Sequence, residues 1–241
     1  LVLTEAGGIA LSFADEIFGG GGRMVATLRG GRNREDVLRI GAVATLSRNF
    51  LDSFLRPLFQ SPDLRVRLVS GSHDDLVDRL LQHNLDLVLG NRQVPASEDR
   101  ELRSKRVARQ PVSLVGPPTD ETLSFPDDIE DIPLLVPSPD SAIRTSFDAL
   151  CEQRGVRPRI VAEVDDMALL RLLTRDMRLV ALLPAVVVRD ELQSGVLKHH
   201  GVVGGLDESF YATTRARRFP HPLLEPLLDR PQEEILQMAG G

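Results

Sequence analysis

Over the first eighteen residues apolar positions return every fourth place. Ile9, Phe13 and Ile17 form a stripe, Ala10, Ala14 and Phe18 lie one step round it, and Asp15 and Glu16 fall off it. That spacing predicts an amphipathic helix over Thr4–Phe18. Thr4 is placed to cap it, and Glu5 suits the positive end of its dipole. Gly19–Gly22 should stop the helix, and residues 23–35, rich in Gly and Arg, read as a linker. The stripe has no obvious apolar partner nearby in sequence. Self-association through Ile9, Phe13 and Ile17 is therefore the preferred reading, with packing onto the chain's own domain as the alternative.

From Val37 strands and helices alternate. Val37–Val43 reads as a strand. A helix follows from Ser47, with Phe50, Leu51, Phe54 and Leu55 on its apolar face and Pro57 set to kink or end it. Leu64–Ser70 is a second strand, Ser72–His83 a helix and Leu85–Leu89 a buried strand. This βαβαβ order predicts a parallel sheet with crossover helices. Residues 93–109 are polar and read as a surface segment. Val112–Val115, Leu134–Val136, Arg159–Val164 and Leu179–Leu183 are strands. Ser141–Arg154, Asp166–Thr174 and Ala185–Gln193 are helices, and 116–133, with four prolines, is mostly loop. Val196–His200 and Phe210–Arg215 are two further strands, and Pro222–Met238 is a final helix perturbed by Pro226 and Pro231. The expected organisation is a linker helix and linker over 1–35, a first α/β lobe over 36–109, a second over 110–205, and a return to the first lobe over 206–241.

Hydrophobic residues make up 42% and charged residues 27% of 241 positions, which suits a globular protein rather than a disordered chain. The formal net charge of −6 makes the chain a poor overall match for the nucleic-acid backbone. The single cysteine, Cys151, cannot close an internal disulfide and sits among apolar neighbours on a helix, as core packing would have it. No apolar run is long enough to span a bilayer. Leu1–Ala10 lacks the basic start of a signal peptide. With no initiator Met, the expectation is that a segment upstream has been removed.

In parallel sheets ligands collect at the carboxyl ends of strands, where helix N-termini expose unpaired N–H groups. Small hydroxyl residues stand at several such junctions: Thr45 and Ser47, Ser70 and Ser72, and Ser138, Ser141 and Thr145. Together they suit an anion or a polar small molecule held in a cleft. Each taken singly reads as a helix cap. Arg144, just inside its helix, could clamp a carboxylate or make a surface ion pair. Asp165 and Asp166 could hold a cation, but starting the next helix is the simpler role. His73 with Asp74 and Asp75, and the His199–His200 pair, are weak metal signals, so no metal site and no cofactor are expected. No G-x-S-x-G elbow, H-E-x-x-H helix, P-loop or G-x-G-x-x-G turn occurs. No catalytic residue is therefore assigned.

Several segments resemble one family in order and spacing. Leu3-Thr4-Glu5-Ala6-Gly7 is similar to the L-T-x-A-G lead into the linker helix of LysR-type transcriptional regulators. Val37-Leu38-Arg39-Ile40-Gly41 resembles the opening strand of their effector domain, and Leu85-Asp86-Leu87-Val88-Leu89 its third strand. Leu179–Pro184 resembles the second-lobe strand, and Arg218–Pro222 the turn before the last helix. Within the family, Ala14–Phe18, Leu46-Ser47, Gln82–Asp86 and Glu163–Leu169 are most similar to the sodium/proton-antiporter activator subgroup. The resemblance implies an α/β, two-lobed fold of the type II periplasmic-binding-protein kind. It implies a small-molecule or ion effector between the lobes, touching Thr45, Leu46, Ser47, Ser72 and Ser138. It also implies a homodimer or homotetramer built partly through the N-terminal helix, and a cytoplasmic location away from membranes. Promoter DNA would be bound through a winged helix-turn-helix absent from this chain, and RNA polymerase is a candidate partner. The tetraglycine after Phe18 departs from the family by shortening or breaking the linker helix. Two rival readings remain: a solute-binding protein of the same fold, and an enzyme such as a deaminase or dehydratase, for which only Asp165, Asp166 and His73 offer chemistry.

Overall fold

The computed structural model describes Thr4, Gly7, Ala14, Ile17 and Gly21, and residues 37–62, 64–95, 102–120, 123–216 and 221–236. At the N-terminus, Thr4 Oγ1 accepts a hydrogen bond from the Gly7 N–H at 3.2 Å, the geometry of a helix cap. Gly7, Ala14, Ile17 and Gly21 are helical. Helical backbone at Gly21 corrects the expectation that Gly19–Gly22 stops the helix; glycine costs a helix about 1 kcal/mol against alanine, a penalty rather than a bar. Ile17 is 69% exposed. Ile9, Phe13 and the linker over 23–35 lie outside the described residues.

The chain folds as two compact units, one of Leu1–Val43, Leu55–Lys105 and Ala212–Leu228, the other of Ala44–Phe54, Arg106–Tyr211 and Asp229–Gly241.

The first unit is built on β1 (Val37–Val43), β2 (Arg65–Gly71) and β3 (Leu87–Gly90). Both β2 and β3 run parallel to β1, with Ile40 opposite Leu68 on one side and Leu87 on the other. Every residue of β3 is buried, as expected of a central parallel strand covered on both faces. The helix His73–Leu81 packs its Leu76, Val77 and Leu80 against these strands. Gly41 lets it close in, since a Cβ there would lie 2.9 Å from a Leu76 methyl and 2.8 Å from a Leu85 methyl.

The second unit holds α1 (Arg48–Leu55, all but its last residue), β5 (Leu134–Pro137), α3 (Ala142–Arg154), β6 (Ile160–Val164), α4 (Met167–Met177), β7 (Val180–Pro184) and α5 (Arg189–Gln193), the first-unit helix being α2. β5 lies parallel to β6 and β7, and β7 pairs antiparallel with β4 (Leu102–Gly116). Phe50 stacks on Phe210 with ring centroids 4.1 Å apart. Asn49 Nδ2 donates to the Val187 carbonyl at 3.3 Å, and Arg189 Nη1 to Ser53 Oγ at 2.7 Å. Arg230 Nη1 donates to the Ser53 and Phe54 carbonyls at 3.0 and 3.2 Å, satisfying acceptors that a helix end leaves open.

Two strands are much longer than expected. β4 runs over Leu102–Gly116 and β8 over Lys198–Arg215. The polar stretch 102–109 is therefore strand, and Lys198–His200 and Phe210–Arg215 belong to one strand, with Val196 and Leu197 just before its start. Buried Leu102, Val107 and Ala108 in β4, and Val203, Leu206 and Phe210 in β8, anchor the extra length. The expected final helix is two short ones, α6 (Leu224–Leu228) and α7 (Gln232–Leu236), separated around Pro231, which lacks the N–H that a helix interior needs.

Candidate effector-binding junctions

Each strand-to-helix junction picked out in the sequence carries a side-chain cap. Ser47 is 1% exposed, and its Oγ accepts from the Phe50 N–H at 3.3 Å. Thr45 lies in the turn just before it and Leu46 is buried. Ser72 caps α2, accepting from the Asp75 N–H at 3.3 Å, and its own surface is exposed. Ser141 caps α3, accepting from the Arg144 N–H at 3.1 Å. Asp166 caps α4 through the Ala168 N–H at 2.7 Å, the simpler of the two roles weighed for it. A serine that accepts in a cap still has its O–H proton to donate, and the first amides of the helix remain donors. Capping and ligand contact are thus compatible at the same residue.

Thr45, Leu46 and Ser47 share one turn of the second unit. Ser138, Ser141 and Arg144 are brought together in that unit as well: the Ser141 N–H donates to the Ser138 carbonyl at 3.0 Å. Ser138 Oγ makes no hydrogen bond among the described residues. Ser72 belongs to the first unit.

Arg144 is only 9% exposed. Its Nε donates to both oxygens of Asp148 at 2.8 and 2.9 Å, and its Nη1 to Glu163 Oε1 at 2.6 Å. Burial opposes the charge on the guanidinium, but these hydrogen bonds outweigh it and raise the pKa. Nη2 makes no hydrogen bond among the described residues. Sequence reading singled out Arg144 but not Asp148; the i, i+4 spacing of the two on α3 was the available signal.

A second buried polar group was not anticipated. Arg171 Nε donates to Glu191 Oε1 at 2.6 Å, and its Nη1 to Asn49 Oδ1 at 3.5 Å. This ties α4, α5 and α1 together beside the Ser47 turn. Glu191 Oε2 is buried and makes no hydrogen bond among the described residues. His73 is held by Asp74 and Arg92, and His199 bonds Ser113 Oγ at 2.7 Å. Among the described residues no group of three or more His, Cys, Asp or Glu is arranged to hold a metal ion, and no helix is long and apolar enough to cross a membrane.

The model of the LysR substrate binding domain matches residues 31–235. The chain belongs to that family, whose members are regulatory domains of transcription factors rather than enzymes, and its α/β fold is of the type II periplasmic-binding-protein kind. It is 22% identical over 239 residues to the transcriptional activator protein NhaR of Escherichia coli (strain K12), covering 98% of this chain and 79% of that protein. Among solved structures it resembles full-length CbnR complexed with its target DNA, with a TM-score of 0.65 at 20% identity over 97% of this chain and 82% of that one. It also resembles the regulatory domain of HypT from Salmonella typhimurium in its apo form, with a TM-score of 0.62 at 17% identity over 81% and 93%.

Proposed function

We propose that this chain is the effector-sensing and oligomerisation region of a LysR-type DNA-binding transcriptional regulator. The observation that carries this is the family match across 31–235, joined to capped strand ends that keep hydroxyl donors available at Ser47, Ser72 and Ser141. On the family's plan the effector is held between two lobes, with Thr45, Leu46, Ser47, Ser72, Ser138, Ser141 and Arg144 as contact residues. A ligand that favours one arrangement of the lobes changes the geometry of a homodimer or homotetramer, and with it the spacing of winged helix-turn-helix arms supplied outside this chain. Turning such a switch from mostly off to mostly on takes a differential affinity of roughly 5 kcal/mol. The division of the effector domain into lobes at 36–109 and 110–205, with 206–241 returning to the first, belongs to the same plan.

Self-association falls to the N-terminal helix, where Ile9, Phe13 and Ile17 form its apolar stripe; the exposure of Ile17 supports this. The likeness to the sodium/proton-antiporter activator subgroup, with NhaR as a relative, makes sodium and alkaline pH the first effector conditions to test and activation the first regulatory sign. Promoter DNA and RNA polymerase are partners of the intact regulator. Sedimentation equilibrium of the chain tests the oligomeric part. A dimer or tetramer that Ile17→Asp dissociates supports it, whereas a strict monomer at all concentrations favours the solute-binding reading.

A further inference from the structure

In the first unit one face of the β1–β2 pair is covered over part of its length only, among the described residues. Register places Val37 beside Arg65 and Arg39 beside Arg67. Side chains in register point to the same face, and alternation adds Gly41 to that face. At Gly41 and Gly71 Leu76 of α2 lies close, so the helix covers the carboxyl-end half of the face. Among the described residues the amino-end half is left as a cavity of about 430 Å³ lined by Val37, Arg39, Arg65, Val66 and Arg67.

Three arginines therefore line one open hollow in a chain whose net charge is −6. Arg65 and Arg67 make no hydrogen bond or ion pair among the described residues. Arg39 uses one nitrogen, Nη1, for a long contact of 3.4 Å to the His83 carbonyl. The nearby Asp86 accepts from the Arg39 backbone N–H at 3.0 Å. Like charges directly opposite each other across strands destabilise a sheet, and Arg39 opposite Arg67 is such a pair. Arginine forks match phosphate and carboxylate oxygens, and the hollow falls within the size range of small-ligand sites.

We propose that Arg39, Arg65 and Arg67 form a binding site for a small polyanion carrying two or more phosphate or carboxylate groups. It lies at the amino ends of β1 and β2, whereas Ser72, the candidate effector residue of the same unit, follows the carboxyl end of β2. The proposal therefore stands independently of the effector reading. Two anionic groups on one ligand would engage Arg67 and Arg39 together and relieve their repulsion, which a single chloride cannot do.

Titration calorimetry of the full chain with pyrophosphate and with citrate, at constant ionic strength set by sodium chloride, tests this. Binding of either probe is the expected result. Pyrophosphate alone would assign phosphate, and comparable affinity for both would assign charge and spacing only. Arg39→Gln and Arg67→Gln should each weaken binding about tenfold, as loss of a charge-assisted hydrogen bond predicts. Arg67→Lys should retain part of it, and Arg154→Gln, the same charge change on α3, should have no effect. All three target side chains are exposed, so melting temperatures should stay within a few degrees. Heat no greater than dilution for both probes, or wild-type affinity in Arg67→Gln, would overturn the proposal. So would dissociation of the oligomer in that variant, which would make the arginines part of an interface between copies.

Discussion

Arg144 Nη1 lies 2.6 Å from Glu163 Oε1, joining the first turn of α3 to strand β6 through a guanidinium that Asp148 also grips. The arginine is buried while both carboxylates are about half exposed, so losing the cation lets them return to water. Arg144→Met, which keeps much of the buried stem, should cost about 2 kcal/mol, and Glu163→Gln less than about 1 kcal/mol. Urea unfolding with an unchanged slope measures both. Equal costs would mean that the Glu163 bond, and not burial of the arginine, holds the junction.

At Ser72 the two roles separate by substitution. Ser72→Ala removes the α2 cap and should lower stability by about 1 kcal/mol. Ser72→Asp keeps a capping oxygen and should retain stability. On the proposed function it should still weaken binding of an anionic effector, because a carboxylate replaces a hydroxyl donor. Thermal melts and ligand titration of the pair check this; an Asp variant that binds an anionic effector normally would leave Ser72 a cap and nothing more.

The pair of Arg171 and Glu191 predicts an asymmetry. Arg171→Ala strands a carboxylate that is almost fully buried and should cost about 3 kcal/mol. Adding Glu191→Leu to that variant removes the stranded charge and should recover much of the loss. Denaturant unfolding of the single and double variants gives the coupling directly. If the double variant is less stable than the single, the network and not the charge is what matters.

Cys151 carries the clearest pH signature. Burial, reinforced by Asp148 and opposed by Arg144, pushes its thiol from 9.0 to about 11. The folded form holds its proton more tightly than the unfolded form, so this contribution is complete below pH 9 and is lost as pH rises from 9 towards about 11. Cys151→Ala should flatten the alkaline fall in stability across that window. Native protein at pH 8 should react with iodoacetamide far more slowly than unfolded protein, since the thiolate is the nucleophile.

Much of the fold is legible from residues alone where one face or both are apolar. β3, β5 and β7 are short buried runs, and Ser72, Ser141 and Asp166 stand where their helices begin. β4 and β8 are not legible over their full length. Arg103, Lys105 and Arg106 make the start of β4 look like a surface segment, and Gly201, Gly204, Gly205 and Asp207 interrupt β8 with residues that disfavour strands. Pairing with neighbours holds both extended despite their composition. At the junctions, the hydroxyls follow from local sequence. The partners of Arg144 and Arg171 include Glu163 and Glu191, which lie on other elements, and tertiary placement alone reveals them. The register that sets Arg39 beside Arg67 is equally invisible in one dimension.

The central claim is regulatory, and footprinting of the full-length gene product on the DNA upstream of its own and neighbouring genes tests it most directly. The account predicts a protected region that persists at about 200 mM salt and changes in extent or spacing when an effector is bound. Protection that is uniform along the DNA and vanishes with salt in the manner of non-specific phosphate contacts, with no response to any effector, would contradict it.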